Sequence, residues 1–233
     1  EISEMNVHCK QDRLILLVRQ AIPFIMLSMV MTWPSSEALG ATAYWHGQGA
    51  TANWSDPDNW DDDTVTDTEF YLPVNGDSLR WFPSTAGNLN SNNDLAGLSV
   101  NGISLQGGPS SGVVLNGNQL TFSGNITGVG RSATINLPLQ ASGTVSIQGG
   151  TPWTINGVIS ETTGGNRELR PNSDTIHLNA LNTISGLTRL AVGGEPTVYI
   201  NTLDDIGVAQ SLGTGSVIQF SHNDNDGTII YTG

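Results

Sequence analysis

Residues 133–159 read ATINLPLQASGTVSIQGGTPWTINGVI, and this stretch decides the fold. Apolar side chains alternate with Ser, Thr, Asn and Gln over runs of three to six residues, such as Thr134–Leu137, Val145–Ile147 and Trp153–Ile155. Alternation with period two marks a strand that buries one face, and the Gly, Pro and Ser between the runs mark tight turns. From Leu95 to Ser160 the only charged residue in 66 is Arg131. An ordinary domain carries charge on about a quarter of its residues, so this region is solvated by neutral hydroxyl and amide groups.

The same pattern recurs at Leu98–Val100, Ile103–Leu105, Val113–Leu115, Leu120–Phe122, Ile176–Leu178, Leu187–Val192, Val198–Ile200, Val217–Phe220 and Thr228–Tyr231. Asn-Gly pairs at 75, 101, 116 and 156 supply turns in which positive φ is cheap. Helix formers are scarce past residue 41. Short strands at regular spacing suit a β-sandwich or a β-solenoid. Sandwich edges are usually guarded by Lys, Glu and Arg, whereas here the outward positions are Ser, Thr, Asn and Gln. Parallel coils stack equivalent positions about 4.8 Å apart, so like charges would repel and neutral hydrogen-bonding ladders are favoured. The expectation is an all-β chain built as a parallel β-solenoid over residues 95–233, continuing beyond them, behind a Trp- and Asp-rich cap at 41–94. Such coils lean on their neighbours and need a cap.

The first 40 residues have a different composition. Lys10, Arg13 and Arg19 precede an apolar run from Ala21 to Trp33, followed by Ala38 and Gly40 at the −3 and −1 positions of a cut after Gly40. Basic, apolar, then small is the layout of a secretory signal peptide. Thirteen apolar residues fall short of the roughly 20 that span a bilayer, and an uncleaved anchor is the alternative. Past residue 40 there is no Lys, Met or Cys, and five Arg face 17 Asp and Glu, a net charge of −12. That balance argues against nucleic acid as a partner, since binding it needs a basic face. A chain without cysteine in this region takes its stability from its core instead of disulfides.

Two segments carry a family resemblance. Tyr44-Trp45-His46-Gly47, Asn53-Trp54-Ser55, Asn59-Trp60 and Asn75-Gly76-Asp77-Ser78-Leu79 resemble the opening of secreted bacterial proteins with autotransporter-associated β-strand repeats. Leu178 through Asn182-Thr183, Ser185-Gly186 and Thr188, with Val192-Gly193-Gly194, is similar to the repeat itself. Ser211-Leu212-Gly213 and residues 227–233 resemble its closing part. His46 and Ala180 depart from the commoner Asp or Gly, and one clear repeat copy is present. The resemblance implies a right-handed parallel β-helix passenger, secreted or held at a bacterial cell surface. A surface glycan or host-cell ligand would be its partner, with outer-membrane association through a further C-terminal region.

The candidate chemistry is sparse. Trp45, Trp54 and Trp60, with Trp81, are candidate sugar-stacking rings; clustered Trp residues more often form core. Five carboxylates lie between Asp56 and Asp63, and Asp56, Asp58, Asp61 and Asp63 are candidate Ca²⁺ ligands. The spacing fails the EF-hand pattern, because Trp60 stands at the fifth position, and a solvated acidic loop is the plainer reading. His222 through Gly227 is a second acidic turn, which Asp and Asn explain by themselves. Asn201-Thr202-Leu203-Asp204-Asp205 resembles polygalacturonase carboxylates, but the accompanying Gly-His-Gly and Arg-Ile-Lys segments are lacking. No cofactor is expected, no residue is assigned as catalytic, and the expected function is that of a stalk or adhesin-like passenger. The alternatives are a polysaccharide-cleaving β-helix enzyme and a sugar-binding module.

Overall fold

The computed structural model describes residues 40–62, 70–81, 88–105, 112–130, 132–150, 152–190, 195–222 and 225–233. The expected signal peptide, apart from Gly40, lies outside them, as do Asp63, Asp224 and Val192-Gly193-Gly194. The described residues form a parallel β-solenoid with three faces, carrying sheets of nine, seven and four strands. Most coils place one short strand on each of the two larger faces before moving one rung along the stack, and the four-stranded face runs only from Ser99–Val100 to Ile159–Glu161.

The periodicity explains the register. On the seven-stranded face Val113, Ala133, Trp153, Ile176, Val198 and Ile229 lie on successive rungs, and Leu115, Ile135, Ile155, Leu178, Ile200 and Tyr231 lie beside them. The first five residues of each row point inward and are buried. Leu79, Ile103, Ile126 and Ile147 project from the nine-stranded face, and Leu120, Leu139 and Ile159 from the four-stranded face, into the same core. Burying each such side chain contributes about 1.5–3 kcal/mol, and every coil shares its core with the next, so the stack holds together only as an array. Coil length is 20 residues from Val113 to Ala133 and again from Ala133 to Trp153, then 23 to Ile176, 22 to Val198 and 31 to Ile229. The longest step contains the 201–217 loop and a small antiparallel pair, Ser221–His222 with Asn225–Asp226.

The neutral ladder takes a specific form. Asn116 lies near the end of its strand on the seven-stranded face, and Asn136, Asn156, Asn179 and Asn201 directly follow theirs. The Asn116 amide donates to Asn90 Oδ1 (2.7 Å), Asn136 to Asn116 (2.7 Å), Asn156 to Asn136 (2.8 Å) and Asn179 to Asn156 (2.8 Å). Asn201 ends the series by donating to the backbone carbonyl of Asn179 (3.0 Å). An amide suits this stack because it carries donor and acceptor together, so each rung repeats without charge.

Two features refine the sequence reading. The stack begins at Thr42: Thr42–Trp45, Ser78–Trp81 and Asn90–Asn93 are rungs of the two larger sheets, although they lie within the 41–94 segment set apart by composition. Of the described acidic residues of that segment, Asp56, Asp58, Asp62, Asp77 and Asp94 lie outside the strands, while the strands follow the solenoid pattern. The Asn-Gly pairs divide as well. Gly76 and Gly117 have the positive φ of a turn (+95° and +106°). Gly157 is required for another reason, since a Cβ there would lie 1.9 Å from the Leu137 carbonyl oxygen of the preceding coil.

Candidate functional site

The residues of the opening motif converge on the amino-terminal end of the stack. Trp60–Asp61 pairs antiparallel with Thr42–Trp45 and closes the edge of the nine-stranded sheet. Trp45, Trp54 and Trp60 are 0, 0 and 2% exposed. Trp45 and Trp60 meet edge to face at 4.9 Å, Trp54 and Trp60 at 5.6 Å, and Trp81 lies 5.7 Å from both Trp54 and Trp60. The indole of Trp45 donates to the Asn88 carbonyl (2.7 Å) and that of Trp60 to the Trp54 carbonyl (3.0 Å). A sugar needs an open ring face, and these rings have none; the stacking assignment is corrected to a core cluster that seals the stack. Burial of their large apolar area accounts for it.

The polar members of the motif are used internally. Buried Asn59 accepts from the Gly49 N–H and donates to the carbonyls of Thr51 and Asn53. Asp77 accepts from the Ala41 N–H, the Val74 N–H and the Tyr71 hydroxyl, tying the loop after Tyr71 to the first strand. Burial, with the Asp77 carboxylate beside it, pushes the Tyr71 phenol well above its ordinary pKa. Ser55 donates to Asp94, and Asn75 accepts from the Ser99 N–H.

Of the candidate Ca²⁺ ligands, Asp56 and Asp61 are similarly engaged. Asp56 caps the single turn of 3₁₀ helix Pro57–Asn59 and accepts from the Thr51 N–H and hydroxyl. Hydrogen bonds from the Thr51 backbone and hydroxyl hold its carboxyl below the usual aspartate range. Asp58 is exposed. Asp61 is buried, accepts from the Asp62 N–H and lies 3.9 Å from the His46 imidazole. Among the described residues, no group of three or more His, Cys, Asp or Glu is placed to hold an ion; Asp63, the fourth candidate ligand, lies outside them. Asp204 and Asp205 lie in an exposed loop, where the Asp205 N–H donates to Asp204. His177 stacks on Tyr199 of the next rung at 4.4 Å on the outer seven-stranded face.

The outer face of the nine-stranded sheet bears the groove that sequence reasoning missed. Thr42, Ser78, Arg80, Asn101, Ser104, Asn125 and Thr127 line a depression of about 330 Å³. Arg80 lies with its guanidinium carbon 5.5 Å from the ring centre of Tyr44 on the neighbouring rung. Further along the same face Arg170 and Arg189 both reach Glu168, at 2.5 and 3.1 Å, and Arg189 also donates to Gln219. The Glu168 side chain and direct hydrogen bonding to it raise the Arg170 pKa above its ordinary value. These residues lie up to 147 positions apart, from Thr42 to Arg189, and only coil register brings them to one surface. The one sequence signal was the scarcity of Arg.

No protein-family model, curated protein or solved structure matches the chain.

Proposed function

We propose that the chain is an exported β-solenoid passenger that acts by presentation: a stalk or adhesin-like protein at, or released from, a bacterial cell surface. The observation that carries this reading is the use of its polar side chains. The Asn ladder spans the rungs from Asn90 to Asn201, and Asn59, Asp77 and Asp56 of the opening segment are consumed in bracing the cap. Such side chains stiffen a stack and leave its reach as the useful property. The signal-like leader and the resemblance to passenger proteins support export and outer-membrane association.

The test incubates the purified chain with neutral and acidic polysaccharides and follows polymer length and new chain ends. The passenger reading expects no shortening. Shortening abolished by Asp-to-Asn substitution at any surface carboxylate would establish a polysaccharide-cleaving enzyme in its place. Protease shaving of intact secreting cells is the companion measurement, with the chain expected to be accessible from outside.

A further inference from the structure

Charge is segregated on this solenoid. The outward row of the seven-stranded face runs Val114, Thr134, Thr154, His177, Tyr199 and Ile230, and that of the four-stranded face runs Ser99, Thr121, Gln140 and Ser160. Neither row contains an Arg, Asp or Glu. Exposed acids lie mainly in connections, as Asp58, Asp62, Asp94, Asp174, Glu195, Asp204 and Asp205 do. On the nine-stranded face the outward row is Asp61, Tyr44, Arg80, Ser104, Thr127, Gln148 and Asn172, and Arg170 follows Ser146 in the row beside it. Arg80, Arg170 and Arg189 thus share one face with two carboxylates among its described residues: buried Asp61, in register beside Tyr44 at the edge of the sheet, and Glu168, which Arg170 and Arg189 both reach. The chain has only five Arg past residue 40, with a net charge of −12 over that region.

We propose that the outer face of the nine-stranded sheet is a binding track for an extended acidic glycan. The glycan's carboxylate or sulfate groups meet Arg80 at one end and the Arg170–Arg189 pair toward the other, and its hydroxyls meet the neutral rungs between. Four rungs separate Arg80 from Arg170, roughly 19 Å at the spacing of paired strands. A guanidinium binds planar anionic groups by paired, charge-assisted hydrogen bonds. Ser104, Thr127 and Gln148 supply both donors and acceptors, which is what a polyhydroxylated chain requires. Nucleic acid fits poorly: a duplex carries a charge about every 1.7 Å, and three cations spread along an otherwise acidic protein do not match that density. This assignment rests on the non-catalytic reading above in one respect, that the glycan is held and not cut.

The test measures retention of the full chain on immobilised polygalacturonate, on heparin, on duplex DNA and on neutral dextran across a salt series. Wild type is expected to bind one of the two polyanions and to release with salt; the preferred polyanion identifies carboxylate or sulfate as the anionic group. Arg80→Gln combined with Arg170→Gln should weaken binding roughly tenfold or more, the scale of charge-assisted hydrogen bonds. Thr127→Arg, which adds a cation mid-track, should tighten it, and Gln140→Ala on the four-stranded face should leave it unchanged. Binding to neither polyanion, equal binding to dextran, stronger retention by DNA, or affinity indifferent to Thr127→Arg would each overturn the proposal. The Thr127→Arg variant decides the matter if the double variant fails to fold. Shortening of the bound polymer would instead sink the non-catalytic reading while leaving the track in place.

Discussion

Asn182 is the residue whose loss should be felt most for its size. It is fully buried, and its side chain clasps the coils on either side: Oδ1 accepts from the Ile159 N–H (2.7 Å) and Nδ2 donates to the Ser211 carbonyl (2.7 Å). Its own N–H donates to the Gln210 carbonyl (2.9 Å), which fixes the residue that carries the clasp. Asn182→Ala removes both side-chain bonds and leaves a backbone donor and a backbone acceptor buried without partners. At about 1–3 kcal/mol for each orphaned group, the expected loss is about 2–6 kcal/mol, a large share of the roughly 5–15 kcal/mol that stabilises an ordinary domain. Asn182→Asp keeps the acceptor for Ile159 but sets a carboxylate oxygen against the Ser211 carbonyl, so it should be no milder near neutral pH. Denaturant unfolding gives the global value, and amide hydrogen exchange supplies a local one: the Ile159 amide should lose protection in Asn182→Ala while the Val113 and Leu120 amides, several coils away, keep theirs. A loss below about 1 kcal/mol together with unchanged Ile159 protection would refute the clasp.

The Asn ladder predicts that Asn136→Ala, which deletes two exposed amide bonds, costs about 1–2 kcal/mol in denaturant melts. Asn136→Asp places a carboxylate against Asn116 Oδ1; its folded-state pKa should rise above the unfolded value, so this variant should approach wild-type stability at low pH and fall away as pH rises through the folded pKa. Gly157→Ala should destabilise severely or block folding, because its Cβ meets the Leu137 carbonyl, whereas Gly164→Ala, with open space and φ +88°, should cost about 1–2 kcal/mol from backbone strain alone; thermal melts of the two variants compare them directly. Glu161 is pushed up by partial burial but held below its ordinary pKa on balance by the Ser185 hydroxyl and the Arg167 and Asn166 N–H groups. A depressed folded pKa contributes stability above the unfolded glutamate value that is lost as pH falls through the folded one, so Glu161→Gln should flatten the acid limb of a stability–pH curve.

Much of this architecture is local and therefore legible in the chain. Alternation in Thr134–Leu137 or Val145–Ile147 states which side chains are buried, because a strand has period two whatever it pairs with. The near absence of charge from Leu95 to Ser160 states that equivalent positions stack, because repeated like charges at rung spacing would repel. The Trp residues were ambiguous for a physical reason: an indole that stacks on sugar and one that seals a core have the same sequence signature, and only the approach of Trp45, Trp54, Trp60 and Trp81 from four separate segments buries them. The acidic loop was ambiguous in the same way, since Asp56 and Asp61 are spent on Thr51 and Asp62, partners that spacing does not reveal.

The sequence by itself therefore determined a stack of short half-buried strands with uncharged faces. Tertiary structure alone decided what those faces present. Bringing Arg80 beside Ser104 and Thr127, or Asn182 between Ile159 and Ser211, depends on connections of unequal length closing coils of 20 to 31 residues in register. That register is set by cooperative burial across the whole stack, which no local run of residues encodes.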